Sequence, residues 1–418
     1  MSWRARTINE FVYIKHGFAF KGEHFVDTGH YVVLTPGNCF NEGGFKNKGD
    51  KEKRYNGDIP PGYLLKKDDL IVVMTDLVGT APVLGGAFLI PEDNKYLHNQ
   101  RLGLVTLKEG AEADPDFLYY LFNTHNYRGQ VRGSASGATV RHTSPGRIGS
   151  CNVNVPDLPT QTRIASILSA YDDLIENNLR RVALLEQAAR LLYREWFVHF
   201  RFPGHETAPF VDGLPEGWSM QLLSDLCVEG DGIQTGPFGS QLHQSDYTES
   251  GVPVVMPKDM KGNKVDCDGI ARIPETLADR LGRHRMIPGD TVYGRRGDIG
   301  RRAFIGQRQL GFFCGTGCLR IRPDSNKIDA RYLFETLGSP ATSGFIANQA
   351  RGSTMPNLSA GALKKVPVLC ASDALQSQFK EVVEPMFESV EILEDQNTRL
   401  TRARNLLLPR LMDGRIPV

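Results

Sequence analysis

Two kinds of hydrophobic pattern alternate along the chain. Leu70–Met74, Leu102–Leu107, Thr291–Gly294 and Cys318–Arg322 are short apolar or alternating runs bounded by Gly, Pro and Asp, and each predicts a strand. Pro115–Asn123 and Ala330–Leu337 carry large apolar residues at helical spacing and predict one short helix each. The pattern then lengthens twice. Ile164, Leu168, Tyr171, Ile175, Asn178, Val182, Leu185, Ala189, Leu192 and Trp196 fall at steps of four and three. Phe379, Val383, Met386, Val390, Leu393, Asn397, Leu400, Arg404 and Leu407 do the same. This period of 3.5 residues is that of a coiled-coil seam. Thr160 and Ser372 are suitable N-caps, Pro203-Gly204 suits the end of the first helix and Gly414 the C′ position of the second. Pro385 should kink the second helix or mark its first turn. Each helix can run about 40 residues, roughly 60 Å at 1.5 Å per residue. Two such seams in one chain most simply pack antiparallel. Asn178 and Asn397 either set the register of that packing or occupy partly wet positions.

The segments before the two helices repeat one another at an offset of about 215 residues. Asp114-Pro-Asp-Phe117-Leu118-Tyr119 matches Asp329-Ala-Arg-Tyr332-Leu333-Phe334, and Gly137-Ala-Thr139 with Ser144 matches Gly352-Ser353-Thr354 with Ser359. Val155-Pro156 matches Val366-Pro367, Asp69 with Gly79 matches Asp290 with Gly300, and Gly29 with Val32-Val33 matches Gly251 with Val254-Val255. Five matches in one order indicate a duplicated domain and not a short-period solenoid. The expected class is α+β, with two β-rich domains, each followed by a long α-helix, and the helices packed as an antiparallel coiled coil. The boundaries are 1–157 for the first domain, 158–202 for the central helix, 203–370 for a linker and the second domain, and 371–418 for the distal helix and tail.

Composition narrows the setting. The 418 residues are 40% hydrophobic and 23% charged with a net charge of +1, so any nucleic-acid footprint must be local. The seven cysteines, Cys39, Cys151, Cys227, Cys267, Cys314, Cys318 and Cys370, are scattered without a CxxC pair. That argues against a disulfide framework or a structural zinc and fits a reducing cytoplasm. Met1 to Glu10 has no apolar signal-like stretch, and no run of 18 apolar residues occurs.

Four stretches give the chain a family likeness. They are Leu191-Leu-Tyr-Arg-Glu-Trp196-Phe197 with Phe200-Arg-Phe-Pro203-Gly204, Leu214-Pro-Glu-Gly217-Trp218, Gln234-Thr-Gly-Pro-Phe238-Gly239-Ser240, and Leu406-Leu-Leu-Pro409-Arg-Leu411-Met-Asp-Gly414. In the order domain, helix, domain, helix, the chain resembles the specificity subunit of type I restriction-modification systems. The first domain departs from the pattern, with His16-Gly17-Phe18-Ala19-Phe20 where the second has Thr235-Gly-Pro-Phe238-Gly239. The resemblance implies two target-recognition domains, each reading half of a bipartite site on double-stranded DNA. It implies helices that measure the spacer and dock two adenine-methylating subunits, with two ATP-driven restriction subunits in the full complex. It implies no cofactor and no catalysis in this chain. In keeping with that, there is no GxxxxGK[ST], no Asn/Asp-Pro-Pro-aromatic run, no HExxH and no GxSxG. Asp58-Ile-Pro60-Pro61-Gly62-Tyr63 reads as a turn. A nuclease with an unrecognised site and a protein-gripping scaffold are the alternatives.

Between Arg280 and Arg302 lie arginines 280, 283, 285, 295, 296, 301 and 302 against Asp290 and Asp298. Arg295-Arg296-Gly297 follows a strand in a glycine-bounded loop. Arginine suits guanine O6 and N7 as well as phosphate. The DNA-binding candidates are Lys15, Lys21, Arg132, Thr139, Arg141 and His142 in the first copy, and Lys258, Arg295, Arg296, Arg301, Ser353, Thr354 and Asn357 in the second. For the Gly137–Thr139 turn and its counterpart, a turn that seats the domain on its helix is the competing role. The seam and docking candidates are Leu168, Ile175, Asn178, Leu185, Leu192, Met386, Leu393, Asn397, Leu400 and Leu407.

Overall fold

A computed structural model describes residues 3–239, 241–297, 299–350 and 357–418. It divides into two compact units, Met1–Arg180 with Leu393–Val418, and Arg181–Ile392. Each unit contains one β-rich domain and a portion of both long helices.

The runs predicted as strands form the centre of each domain. In the first unit an antiparallel sheet takes the order Val12–His16, Leu102–Leu107, Leu70–Val73, Ala87–Leu89. In the second the order is Ile233–Thr235, Cys318–Ile321, Thr291–Gly294, Arg302–Phe304. The duplication therefore extends to strand order. It extends further to a parallel pair, Val32 beside Tyr96 in one unit and Val254 beside Phe313 in the other. An antiparallel pair is also duplicated, Arg4–Thr7 with Asn152–Val155 and Ser219–Leu222 with Pro367–Cys370. The run Leu70–Val73 is apolar throughout because both faces of its sheet are covered. Leu70 and Val72 pack with Phe117 and Ile164, while Ile71 and Val73 pack with Phe88 and Tyr96.

Two glycines separated by 219 positions answer one constraint. A Cβ on Gly17 would lie 2.0 Å from the Asn99 carbonyl oxygen, and one on Gly236 would lie 2.0 Å from that of Gly315. The departures around them in sequence, His16-Gly17-Phe18 against Thr235-Gly236-Pro237, leave that close approach intact.

Each domain is joined to the helix that follows it by a buried glutamine. Gln161 accepts from the Asp114 N–H (3.0 Å) and donates to the Pro156 (2.9 Å) and Glu112 (3.1 Å) carbonyls. Gln376 accepts from the Asp329 N–H (3.0 Å) and donates to the Ala371 carbonyl (2.8 Å). Asp114 and Asp329 in turn cap the short helices Pro115–Phe122 and Ala330–Leu337.

The long helices span Leu158–Tyr193 and Asp373–Met412. They run antiparallel in both units. In the first, Arg404 pairs with Asp172, and the Asn178 amide donates to Asn397 Oδ1 (3.0 Å) while Asn397 donates to the Ile175 carbonyl (3.3 Å). In the second, Ala189 and Tyr193 share a core with Phe379 and Val383. Of the seam candidates, Leu168, Asn178 and Leu393 are buried, and Ile175, Leu185, Leu192, Met386, Asn397, Leu400 and Leu407 are half-buried.

Two helix boundaries differ from expectation, and one of the two roles open to Pro385 is excluded. Thr160 is not the cap of the central helix: Asp157 accepts from the Thr160 N–H (3.0 Å), because the helix starts two residues earlier and Thr160 is its third residue. Pro203-Gly204 does not end that helix. A π-turn over Arg194–Val198 does, followed by Phe200 at φ +55°, a conformation a helix cannot continue through. Pro385 is not a first turn, since the distal helix begins at Asp373, where the Ser372 carbonyl accepts from Leu375 and Gln376. Gly414 adopts φ +75° beyond the end of that helix, as a C′ residue does.

Gln161→Ala and Gln376→Ala should each destabilise the fold by about 1–3 kcal/mol, because each strands buried backbone groups. Urea denaturation read by circular dichroism checks this, and a change below 0.5 kcal/mol would show that the glutamines hold nothing.

Candidate nucleic-acid interface

In both domains the strand third in the sheet order leads into a loop that collects candidate residues. In the first unit the chain after Leu70–Val73 continues to Thr75–Asp76, which pairs with Arg141–His142. The Thr75 hydroxyl lies 3.1 Å from His142 Nδ1, and the Arg141 guanidinium donates to the Arg132 carbonyl (2.8 Å). Gly137 turns the chain at φ +91° ahead of exposed Thr139. Arg132, Thr139, Arg141 and His142 thus come together. Lys15 and Lys21 sit elsewhere. Lys15 lies over the Tyr63 ring at 4.2 Å and donates to the Gly62 carbonyl (2.8 Å), and Lys21 is exposed 3.8 Å from Glu23. The turn read at Asp58–Tyr63 is a turn, and it supplies that carbonyl.

In the second unit Arg295 and Arg296 follow Thr291–Gly294. Arg296 bridges Asn357, and Arg295 Nε donates to Asn357 Oδ1 (3.3 Å). Arg301 is exposed and donates to the Pro257 carbonyl (3.5 Å), next to Lys258. Ser353 and Thr354 lie outside the described residues.

The arginine run is less cationic in space than along the chain. Arg285 pairs with Glu275 and with Asp279 (2.7 Å). Arg302 is half-buried, donates to the Phe334 carbonyl (3.2 Å) and faces Glu335, whose carboxyl burial holds above its usual pKa. Asp290 is fully buried and accepts from Arg322 (2.8 Å), so it does not neutralise its sequence neighbours. Arg280, Arg283, Arg296 and Arg301 are the exposed members of the run. Sequence reasoning missed Arg320, 1% exposed, which donates to the Arg283 carbonyl (2.9 Å) and to Asp231. It sits in an alternating strand, where nothing marks a buried cation.

Other chemistry is sparse among the described residues. No group of three or more His, Cys, Asp or Glu is arranged to hold a metal. Burial pushes the Cys39, Cys227 and Cys314 thiols up to about 12, far from a reactive thiolate. Burial also lowers His98 and His284 to about 4, aided at His284 by Arg283 and Arg320.

Arg320→Met should cost about 1–3 kcal/mol by leaving the Arg283 and Asp231 carbonyls without that donor while the Asp231 carboxylate keeps Arg322, whereas Arg296→Ala should stay within about 0.5 kcal/mol. Urea midpoints compare the two. The unfolded chain protonates its histidines near 6.5 while the folded chain holds these two neutral down to about 4, so stability should fall as pH drops through that window. His284→Asn should flatten the slope, which pH-dependent urea denaturation measures.

The model of the type I restriction modification DNA specificity domain matches residues 2–187. Among curated relatives, the type I restriction enzyme MjaIX specificity subunit of Methanocaldococcus jannaschii is 22% identical over 347 residues, covering 82% of this chain and 77% of its own. The EcoBI specificity subunit of Escherichia coli is 24% identical over 424 residues, covering 97% and 84%. In fold the chain is like the type I restriction-modification S subunit from M. genitalium, with a TM-score of 0.61, 17% identity and coverage of 99% and 96%. Residues 2–187 thus match the DNA specificity domain of type I restriction modification, and over most of its length the chain is similar to type I restriction enzyme specificity subunits.

Proposed function

We propose that this chain is the DNA-reading subunit of a type I restriction-modification complex, with domains 1–157 and 203–370 each recognising one half of a bipartite site. The helices within 158–202 and 371–418 set the unread spacer and dock two adenine-methylating subunits. Two ATP-dependent restriction subunits complete the assembly in the cytoplasm. The chain has no turnover of its own. The observation that carries this reading is the repeat. One scaffold occurs twice with different side chains on its loops, which is what reading two unlike half-sites requires.

The helices supply the docking surface. Residues such as Leu168, Asn178 and Leu393 are buried in the seam, so docking falls to apolar residues facing outward. Ile167, Leu174 and Leu406 in the first unit and Leu184, Leu191 and Val198 in the second are exposed on these helices and their π-turn extension. A subunit with apolar patches of its own covers them.

Purified alone, the chain should methylate nothing. Co-expressed with its modification subunits, it should direct adenine methylation to one bipartite sequence, detected by modified-base sequencing of the host chromosome. Absence of any methylated motif would overturn the reading. The assembled complex should lose DNA affinity steeply with salt, and Arg296→Ala should reduce the slope of log affinity against log salt by about 1 if it neutralises a phosphate.

A further inference from the structure

The loops after Leu70–Val73 and Thr291–Gly294 are held by the same backbone bonds in the two units. In the first, the Met74 N–H donates to the Arg101 carbonyl and the Thr143 N–H to the Met74 carbonyl, both at 2.9 Å. In the second, the Arg295 N–H donates to the Gly317 carbonyl and the Leu358 N–H to the Arg295 carbonyl, again both at 2.9 Å. Thr75 opposes His142 just as Arg296 opposes Asn357. Met74, Thr75 and His142 therefore stand where Arg295, Arg296 and Asn357 stand.

The backbone is constant and the displayed chemistry is opposite. In the first unit Met74 and Thr75 are buried, and Thr75 steadies exposed His142. Asp76 is buried too, and its carboxylate accepts from the Val78 (3.0 Å) and Val83 (2.8 Å) N–H groups. What that anchored tip presents is Leu77, 54% exposed, and Val78, 52% exposed. In the second unit the same loop presents, three positions earlier in the shared register, exposed Arg296 and half-buried Arg295. The Arg295 guanidinium is engaged by Asn357 and lies 5.9 Å from the centre of the exposed Phe238 ring. A tip held by a buried carboxylate to display two large apolar side chains has a cost in water that contact with a ligand removes.

We infer that these equivalent loops are the base-reading elements of the two domains, and that they read by different chemistry. Leu77 and Val78 lie against thymine 5-methyl groups in one half-site. Arg295 and Arg296 take guanine O6 and N7 in the other, with Phe238 and Asn357 as positioning residues for Arg295. The inference rests on the DNA-reading function proposed above.

The test uses the full chain co-expressed with its modification subunits and reads the methylated motif on the host chromosome. The wild-type motif should contain an A·T pair in one half and a G·C pair in the other. The double variant Leu77→Ser with Val78→Ser should relax one position, by about tenfold or more, in the first-domain half only. Arg295→Ala with Arg296→Ala should relax a guanine in the other half only. Phe238→Ala should relax that same guanine, and Phe238→Tyr should restore it, a base-specific readout that a loss of stability would not produce. Milder variants, Val78→Ala and Arg296→Lys, guard against failure to assemble and should relax the same positions, since lysine keeps the charge but not the fork. In the assembled complex, duplex carrying deoxyuridine in place of thymine in the first half-site should bind several-fold more weakly. A wild-type motif that both loop variants leave unchanged, or blur equally in both halves, would overturn the loop assignment while the DNA-reading function stood. A wild type with no motif would overturn both.

Discussion

A buried glutamine amide at the start of each long helix is the constraint on which the placement of each β-rich domain on its helix depends. A carboxamide has both a donor and an acceptor end. Gln161 uses both, taking the Asp114 N–H while giving to the Pro156 and Glu112 carbonyls. Gln376 repeats this with Asp329 and Ala371. The backbone leaving a strand, the cap of a short helix and the first turn of a long helix are tied at one point. A domain joined only by a flexible linker would hold its loops at no set angle to the helix. With the amide in place, that angle is a property of the packed core.

Along the helices, apolar burial supplies adhesion and polar pairs supply register. Asn178 and Asn397 engage each other inside the seam, and Arg404, at a seam position that hydrophobicity alone would leave unexplained, meets Asp172. Asp172 also accepts from the Tyr120 hydroxyl (2.7 Å), so the register contact is linked to the first domain's own helix. Slipping the helices by one turn would strand these groups in a low-dielectric seam at a cost of about 1–3 kcal/mol for each lost partner. The register of the helix pair in the first unit is thus defined by a few polar atoms set among many apolar ones.

Arginine plays three physical parts in the second domain. Arg320 and Arg322 are building material, neutralised by Asp231 and Asp290 and bonded to carbonyls. Arg285 pairs with carboxylates at the surface. Arg295 and Arg296 stand in a loop that shares two backbone hydrogen bonds and one bridge pairing with its counterpart in the other domain.

The sequence by itself determined the architecture. Strands at Leu102–Leu107 and Thr291–Gly294, the helix Ala330–Leu337 and the long seams all appear where periodicity put them, because period and turn chemistry are local properties of the chain. The duplication was legible for the same reason: residues such as Asp114 and Asp329 recur because they cap equivalent helices. Helix ends were less legible, since Asp157 and the π-turn before Phe200 compete with better-known stop signals. Which cations face outward was not legible at all. Arg302 and Arg296 are six residues apart, yet one is half-buried beside Glu335 and the other is exposed. Glu335 comes from a distant helix, and only packing decides which partner a charge meets. The tertiary structure likewise brought Gln161 to Asp114 and Thr75 to His142, pairings that no local pattern encodes.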